Sequence, residues 1–305
     1  MVESHLRVYK DRSELIVETG ESITYIEGKP NVEAKKRNKK IKEVLDKGWF
    51  RNLVIETIDN PSEGIELEDY HRELITNLIN AVTSEKGRAL IGLSVLQMTI
   101  KAIAPEQSIR LHKGGHADFS WADGITMRTF DSNYIEPVLR EFGLLYVNKY
   151  GVFMTRSLAE NYPYTQFYKA AIRGGKEYWL NLTDEIESDK ADSLIGLKYM
   201  ISLLSNRSEE FIKLTDEAIQ LDIRFLKDVK STDEIFEFIQ SHVISSSYSA
   251  RLFEIALHSF IQAVQEIGEL DGYLLPLCQM RTANKKHRNI GDIEITINQY
   301  NNRVI

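Results

Sequence analysis

The order of apolar and polar positions predicts two short strands near the start of the chain. They occupy residues 14–19 and 22–27, on either side of a turn at Gly20. Charged residues at helical spacing then predict a basic helix over residues 34–45. Two further helices are expected downstream, over about residues 66–82 and 87–104. The chain should therefore begin with a small arm or hairpin and continue mainly as helix.

A helix is expected to start near Asn133. This residue and Glu136 have the spacing of a capping box, in which an amide and an acid satisfy the exposed N–H groups of the first turn. Pro137 is compatible with a helix only near that start, where few backbone hydrogen bonds are lost. The pattern predicts that the helix ends at Gly143.

The next segment predicts a hairpin followed by another helix. Two β-rich runs, at residues 144–147 and 152–155, are joined by a turn that contains glycine. A second capping box at Ser157 then predicts a helix to about Ile172. Helix, helix, hairpin, helix is the order of a winged helix, although a helix followed by a hairpin also occurs in unrelated α+β proteins.

The last hundred residues combine helices with short strands. Residues 192–240 have a helical pattern, which fits either a second small recognition unit or a helical spacer, and their acidity favours the spacer. Residues 251–267 predict an amphipathic helix with Glu254 and His258 on its polar edge. Strands are expected at residues 273–279, 293–295 and 303–305.

Composition indicates a folded chain that works in a reducing compartment. The 305 residues, 43% hydrophobic and 27% charged, suffice for two or three compact units. With Cys278 as the one cysteine, a chain can form neither an intramolecular disulfide nor a cysteine-based zinc site. The first ten residues lack the apolar core of a secretory signal, and residues 89–104 are too short and too polar to cross a bilayer. We therefore expect a cytoplasmic protein with no membrane partner.

The net charge of −7 disfavours a polyanionic partner, but the basic residues are grouped. Such groups are either solvated faces or contacts to DNA. The two groups are Lys35, Lys36, Arg37, Lys39, Lys40 and Lys42, and Arg281, Lys285, Lys286 and Arg288.

A carboxylate near the end of the chain is a candidate metal ligand. Asp292 follows a basic loop and a glycine and stands at the start of an apolar strand. Hydrolysis of a phosphodiester uses Mg²⁺ to polarise the phosphate and activate water, and Mg²⁺ prefers carboxylate oxygens. We predict Asp292 as the metal ligand and catalytic residue and Glu254 as an auxiliary acid. Lys285, Lys286 and Arg288 would hold the scissile phosphate.

Two segments resemble FokI-like type IIS restriction endonucleases, such as FokI, BpuJI and the AlwI group. Residues 108–115, 134–145 and 153–156 are similar to their winged-helix recognition regions. Residues 252–258 and 289–294 resemble the front of their nuclease core, in which a helix acid precedes an Asp on one strand and Glu-x-Lys on the next. The resemblance covers about the last two-thirds of the chain.

The sequence departs from this pattern at its last element. Glu294 is followed two places later by Thr296 and not by lysine, and the chain ends where the Glu-x-Lys strand is expected. The resemblance therefore implies a polypeptide that binds DNA but cuts it poorly or not at all. It also allows a homodimer for cleavage.

The fold class that follows is mostly α with short β-hairpins, an α+β protein. The expected regions are an N-terminal arm with a basic helix (1–60), a winged-helix domain (61–180), a helical linker or second recognition subdomain (181–245) and the start of an α/β nuclease core (246–305). The predicted contacts to double-stranded DNA are Lys36, Arg37, Arg110, His112, Lys113, Arg128, Asn133, Lys149 and Arg156.

Two other functions remain open from the sequence. A winged-helix transcriptional regulator would use the same basic residues without catalysis. A helical protein-interaction module would instead present the acidic surface to a basic partner.

Overall fold

The computed structural model describes residues 3–61, 66–82, 87–113, 120–145, 151–155, 158–159, 162–172, 174–228, 231–246, 249–277, 293–297 and 302–304. The chain divides into two compact units, Met1–Leu214 and Thr215–Ile305. Helices predominate in both, and each contains a three-stranded antiparallel sheet. The expected α+β class with a majority of helix is therefore confirmed.

The first sheet is a meander at the N-terminus. Strands β1 (His5–Val8), β2 (Arg12–Ile16) and β3 (Ser22–Ile26) pair in the order β1-β2-β3. The predicted turn at Gly20 is confirmed, and its φ of 86° is a conformation that glycine adopts without strain. The sequence pattern missed β1. A small core of Leu15, Tyr25, Leu111 and Trp121 joins this sheet to the loops that follow.

Helices build the rest of the first unit. The predicted helices over residues 34–45, 66–82 and 87–104 are confirmed as α1, α3 and α4. The elements are α1 (Val32–Asp46), α2 (Trp49–Asp59), α3 (Asp69–Asn80), α4 (Arg88–Ile103), α5 (Met127–Phe130), α6 (Glu136–Glu141) and α7 (Lys176–Glu187).

Helix α4 lies at the centre of the main core. Twelve of its sixteen residues are buried, which explains why its sequence is apolar on all sides. Gln97, a polar residue on this helix, is satisfied inside the core. Its amide accepts a hydrogen bond from Trp179 Nε1 at 2.7 Å and donates one to the carbonyl of Ile109 at 2.9 Å.

The prediction of a helix start at Asn133 is wrong. The helix begins at α5 and continues to Glu141 through a π-helical turn, Asp131–Ile135, so Asn133 lies inside it. Pro137 lacks an N–H group and its ring would crowd the carbonyl four residues earlier in a regular helix. The wider π turn immediately before it changes that spacing, which is how the proline fits in mid-helix.

The predicted strand at residues 152–155 is also wrong. Residues 151–155 are described and contain no strand. The ring of Phe153 packs against Gly92 of α4, and the N–H of Met154 donates to the carboxylate of Asp131 at 2.7 Å. The N–H of Met154, which a hairpin would use to pair its two strands, is therefore bound by a side chain. Residues 146–150, which are the second half of the predicted first strand and most of its turn, lie outside the described residues.

No α-helix forms between residues 158 and 172 in the described part of that segment, so the predicted helix after Ser157 is wrong as well. Pro163 cannot donate a helical hydrogen bond. The N–H of Tyr164 donates to the carbonyl of Arg110 at 3.1 Å, and the Tyr164 and Tyr168 rings pack edge-on against Trp179. Burial of these aromatic rings in the core overrides the local helical pattern.

The second half of the chain continues as helices and a small sheet. Residues 193–228 form one helix, α8 (Ser193–Asp228), followed by α9 (Thr232–Ser245) and α10 (Ser249–Glu266). Strands β4 (Tyr273–Leu274), β5 (Ile295–Ile297) and β6 (Asn302–Val304) pair antiparallel in the order β4-β5-β6. No described helix has both the length and the apolar character needed to cross a bilayer.

Candidate nucleic-acid interface and carboxylate site

Hydrogen bonds bring three sequence-distant predicted segments into one region of the first unit. The N–H of Lys113 donates to the carbonyl of Ile125 at 2.7 Å. Asn38 on α1 accepts from both the N–H and the hydroxyl of Thr126, at 2.9 and 2.8 Å. The loop at residue 113, the start of α5 and the basic helix α1 are therefore neighbours.

The helix that includes Asn133 is tied to the same region. The Tyr134 hydroxyl donates to Asp46, at the end of α1, at 2.5 Å. Lys113, Arg128 and Asn133 are all exposed. These are the side chains of the predicted DNA-contact set that combine solvent exposure with a place beside α1.

Arg110 has a different environment from the one expected of a DNA contact. Arg110 is 7% exposed. Its guanidinium forms an ion pair with Asp184 and lies 3.9 Å from Glu187. It also donates to the carbonyl of Tyr164 at 2.8 Å. Since these acceptors occupy the guanidinium within the fold, Arg110 has a structural role here, and we leave it out of the proposed contact set.

His112 is likewise buried. Its ring stacks on Tyr164 with the centroids 5.7 Å apart, and its backbone bridges to Ile125. A side chain enclosed in this way cannot reach a base edge without rearrangement, so His112 is also left out of the contact set.

The cations of α1 are mostly paired with neighbouring acids. Lys36 lies 2.8 Å from Glu33, and Arg37 lies 3.2 Å from Asp123. Three more pairs are Lys39–Glu43, Lys40–Glu106 and Lys42–Asp46. Exposed ion pairs contribute little to stability, so a phosphate can replace the acid at an exposed lysine such as Lys36 at small cost. Arg37 is less available, because its guanidinium also donates to Gln107 at 2.7 Å.

In the second unit, Glu254 is a buried carboxylate on a helix whose aromatic residues are exposed. Glu254 is 7% exposed, whereas Phe260 on the same helix is 66% exposed. Arg251 Nη1 lies 2.7 Å from Glu254 Oε1, one turn earlier on α10. Charged side chains are rarely buried unless they are paired, and the Arg251 ion pair meets that condition for Glu254.

The polar edge of α10 contacts the region of β4. His258 Nε2 lies 2.9 Å from the carbonyl of Leu275, and Gln265 Oε1 accepts the N–H of Leu274 at 2.6 Å. The apolar face of this amphipathic helix is the opposite one, formed by Leu252, Ala256, Phe260, Ala263 and Ile267. In the second unit the polar edge instead fixes the helix against the strand.

The described residues contain no group of three His, Cys, Asp or Glu side chains placed to hold a metal ion. Glu254 supplies one hard oxygen donor of the kind that Mg²⁺ prefers. A complete site would need further ligands, and Asp292 is the predicted one.

Several predicted residues lie outside the described part of the chain. These are Lys149 and Arg156 of the DNA-contact set, Lys285, Lys286 and Arg288 of the phosphate set, the catalytic Asp292, and Cys278.

Sequence reasoning missed Asp131. This carboxylate is buried in the π-helical turn, and burial raises its pKa to about 7. Hydrogen bonds from the backbone of Met154 and Phe153 and the charge of Arg128 lower the pKa, while the charge of Glu136 raises it. The usable signal is Pro137, six residues after Asp131, because a proline inside a helix requires a local departure from regular helical hydrogen bonding.

Comparison with known proteins finds no matching family model, no matching curated protein and no matching solved structure.

Proposed function

We propose that this chain binds double-stranded DNA and forms part of a Mg²⁺-dependent type II restriction endonuclease of the type IIS kind. In this proposal the first unit supplies recognition. The second supplies the opening elements of the nuclease core.

The observation that carries the proposal is the buried carboxylate of Glu254 beside an antiparallel meander. The helix α10 precedes β4, β5 and β6, and β5 begins three residues after Asp292. A helix acid followed by an Asp at a strand is the order that the family resemblance implies. The 7% exposure of Glu254 supports a specific role, because an ordinary surface glutamate would lie in solvent.

In the proposed site, Glu254 and Asp292 would hold Mg²⁺. The metal would polarise the phosphate and lower the pKa of the attacking water. Arg251 pairs with Glu254 and would orient its carboxylate.

For recognition, the proposed contacts are Lys113, Arg128 and Asn133, with Lys36 as a phosphate contact. Arginine pairs with guanine and asparagine with adenine through two hydrogen bonds each, whereas lysine mainly holds phosphates. Arg128 and Asn133 would therefore carry base discrimination. The lysines would contribute affinity that falls as salt rises.

Fluorescence anisotropy with a labelled duplex library tests this proposal. We expect binding in dilute buffer that weakens steeply with salt. The combined change Arg128→Ala and Asn133→Ala should remove the preference among duplexes, at a cost of about 1–3 kcal/mol for each specific contact.

Lys190→Ala is the matched control, since Lys190 is an exposed lysine at the end of α7 outside the proposed contact set. It should bind as the parent does. If the parent protein binds no duplex at the lowest salt, or if the double variant keeps its preference, the recognition proposal fails.

A further inference from the structure

Hydrogen bonds at two points hold α1 alongside the segment that runs from α5 into the π turn. Asn38 accepts from the N–H and the hydroxyl of Thr126 at the start of that segment. Asp46 accepts from the hydroxyl of Tyr134 near its end. Both contacts join residues that are 88 positions apart in the sequence. Because the contacts are equally spaced on the two segments, α1 and its neighbour lie side by side and run in the same direction.

One flank of α1 therefore faces this neighbouring segment. At about 100° per residue, Lys42 and Lys35 lie roughly 40° and 60° around the helix axis from Asn38. Asp46 lies roughly 80° from Asn38 in the same sense. The two lysines thus fall between the two residues of α1 whose side chains reach the neighbouring segment. Both lysines are exposed, and they are about two turns, or roughly 10 Å, apart along the helix.

The neighbouring segment exposes polar side chains and no acid. Residues 124–135 are all described, and Asp131, the one acid among them, is buried. The exposed polar side chains are Arg128, Thr129, Ser132 and Asn133. Asp123, immediately before the segment, accepts hydrogen bonds from Arg37 and Asn31. A polyanion lying along this segment would therefore meet the lysines of α1 without an opposing row of exposed carboxylates.

The two lysines differ in their ion pairing. Lys42 Nζ lies 2.6 Å from Asp46 Oδ2, and the two side chains are 57% and 45% exposed. None of the ion pairs between described residues involves Lys35. An exposed ion pair contributes little to stability, so Lys42 can exchange its carboxylate for a phosphate at small cost. Both lysines are therefore available to an anionic partner.

We propose that Lys35 and Lys42 form a phosphate clamp that holds the backbone of double-stranded DNA beside Arg128 and Asn133, with Asp46 competing for Lys42. This inference rests on the proposed function. It adds that the α1 flank positions the duplex without reading its sequence, because phosphate contacts fix the orientation of a protein on DNA whereas contacts to bases specify the site.

Fluorescence anisotropy with a labelled duplex of random sequence, at several salt concentrations, tests the clamp. Each phosphate contact contributes about 0.9 to the slope of log affinity against log salt concentration. Lys35→Ala and Lys42→Ala should each reduce the slope of the parent by that amount and lower the affinity about tenfold at roughly 50 mM salt. A lysine that only supports the fold would leave the slope unchanged.

Matched variants separate charge from structure. Lys35→Arg keeps the charge and should keep the slope of the parent. Lys190→Ala removes a lysine outside the proposed surface and should also bind as the parent does. Circular dichroism checks that each variant retains its fold, which we expect because these side chains are exposed.

The acid of the flank gives an opposite expectation. Asp46→Asn should tighten binding by about threefold, because it removes a carboxylate that repels the phosphates and competes for Lys42. The amide can still accept the hydrogen bond from Tyr134. Glu43→Gln is the matched control, since Glu43 is also an exposed acid of α1 paired with a lysine but lies roughly 140° from Asn38. It should bind as the parent does.

The outcomes distinguish the clamp from the function on which it rests. A parent protein that binds no duplex at the lowest salt overturns both. A parent that binds, together with Lys35→Ala and Lys42→Ala variants that keep its slope, overturns the clamp alone. A reduction of the slope by Lys190→Ala as large as that by Lys35→Ala would also exclude the α1 flank as the specific contact.

Discussion

The carboxylate of Asp131 accepts the backbone N–H of Met154 at 2.7 Å and thereby holds residues 151–155 against the helix that follows α5. Its other oxygen, Oδ1, has no hydrogen-bond partner among the described residues. A buried carboxylate with an unsatisfied oxygen favours its protonated form. Burial of this carboxylate therefore makes the stability of the first unit depend on pH.

The direction of that dependence follows from the two pKa values. The pKa of Asp131 is about 7 in the fold against 3.8 for the free group, so between these values the folded state holds a proton that the unfolded state has released. Its contribution to the free energy of unfolding is full below about pH 4 and is lost as the pH rises towards 7. Asp131→Asn should remove this dependence and stabilise the protein at pH 8 by about 1–3 kcal/mol.

Urea unfolding at several pH values, followed by tryptophan fluorescence, measures this effect. Asp59→Asn, at an exposed position, should leave the pH dependence of the parent unchanged. Equal pH profiles for the parent and Asp131→Asn would contradict the prediction.

The buried guanidinium of Arg110 should stabilise the first unit. Arg110→Met leaves the carboxylates of Asp184 and Glu187 without it, and we expect a loss of about 3 kcal/mol in the free energy of unfolding. Denaturant unfolding measures this loss. Arg128→Met, at an exposed position, should change stability by less than about 0.5 kcal/mol. An Arg110 variant that unfolds like the parent but loses DNA affinity would restore Arg110 to the contact set.

Two helical glycines provide a matched test of packing in the core. A Cβ at Gly92 would lie 2.0 Å from the ring of Phe153, so Gly92→Ala should destabilise the protein by about 1–3 kcal/mol. At Gly196 the nearest atom to a Cβ is the Met98 sulfur at 3.2 Å, the end of a flexible side chain. Gly196→Ala should be neutral or stabilising by up to about 1 kcal/mol, since alanine favours helix. Thermal unfolding in the same buffer compares the melting temperatures of the two variants. Equal melting temperatures would count against the packing of Phe153 on α4.

Glu254→Gln tests the proposed carboxylate site separately from recognition. We expect unchanged affinity for DNA and weaker binding of Mg²⁺, measured by isothermal titration calorimetry, since an amide is a poor ligand for a hard cation. Glu266→Gln, at an exposed position on the same helix, is the control. Binding of Mg²⁺ by Glu254→Gln as tight as that of the parent would exclude Glu254 from the proposed site.

Helix positions followed closely from the sequence where local signals were strong. Asn31 caps α1 through a hydrogen bond to the N–H of Ala34 at 2.8 Å, and Gly48 adopts a positive φ between α1 and α2. Sequence-level reasoning also singled out Glu254. It did not reveal that this carboxylate is buried, because periodicity placed it on the polar edge of α10.

The errors lie where long-range contacts override local preference. Asn133 and Glu136 have the spacing of a capping box, but the helix starts earlier. It widens into a π turn at the buried Asp131. The β-rich residues 152–155 satisfy their backbone through that same carboxylate and pack on α4. The π turn and the irregular backbone at residues 152–155 cannot be predicted from neighbouring residues alone, because both depend on groups more than twenty positions away.

The sequence by itself determined the α+β class, most of the helices and the grouping of basic residues, since capping, glycine and apolar spacing act over a few residues. Tertiary structure decided which of those basic residues are available to a ligand. Arg110 and Arg128 have the same chemistry, but only the fold places Asp184 beside Arg110 and leaves Arg128 exposed. The reason is that burial and charge pairing depend on which distant segments meet.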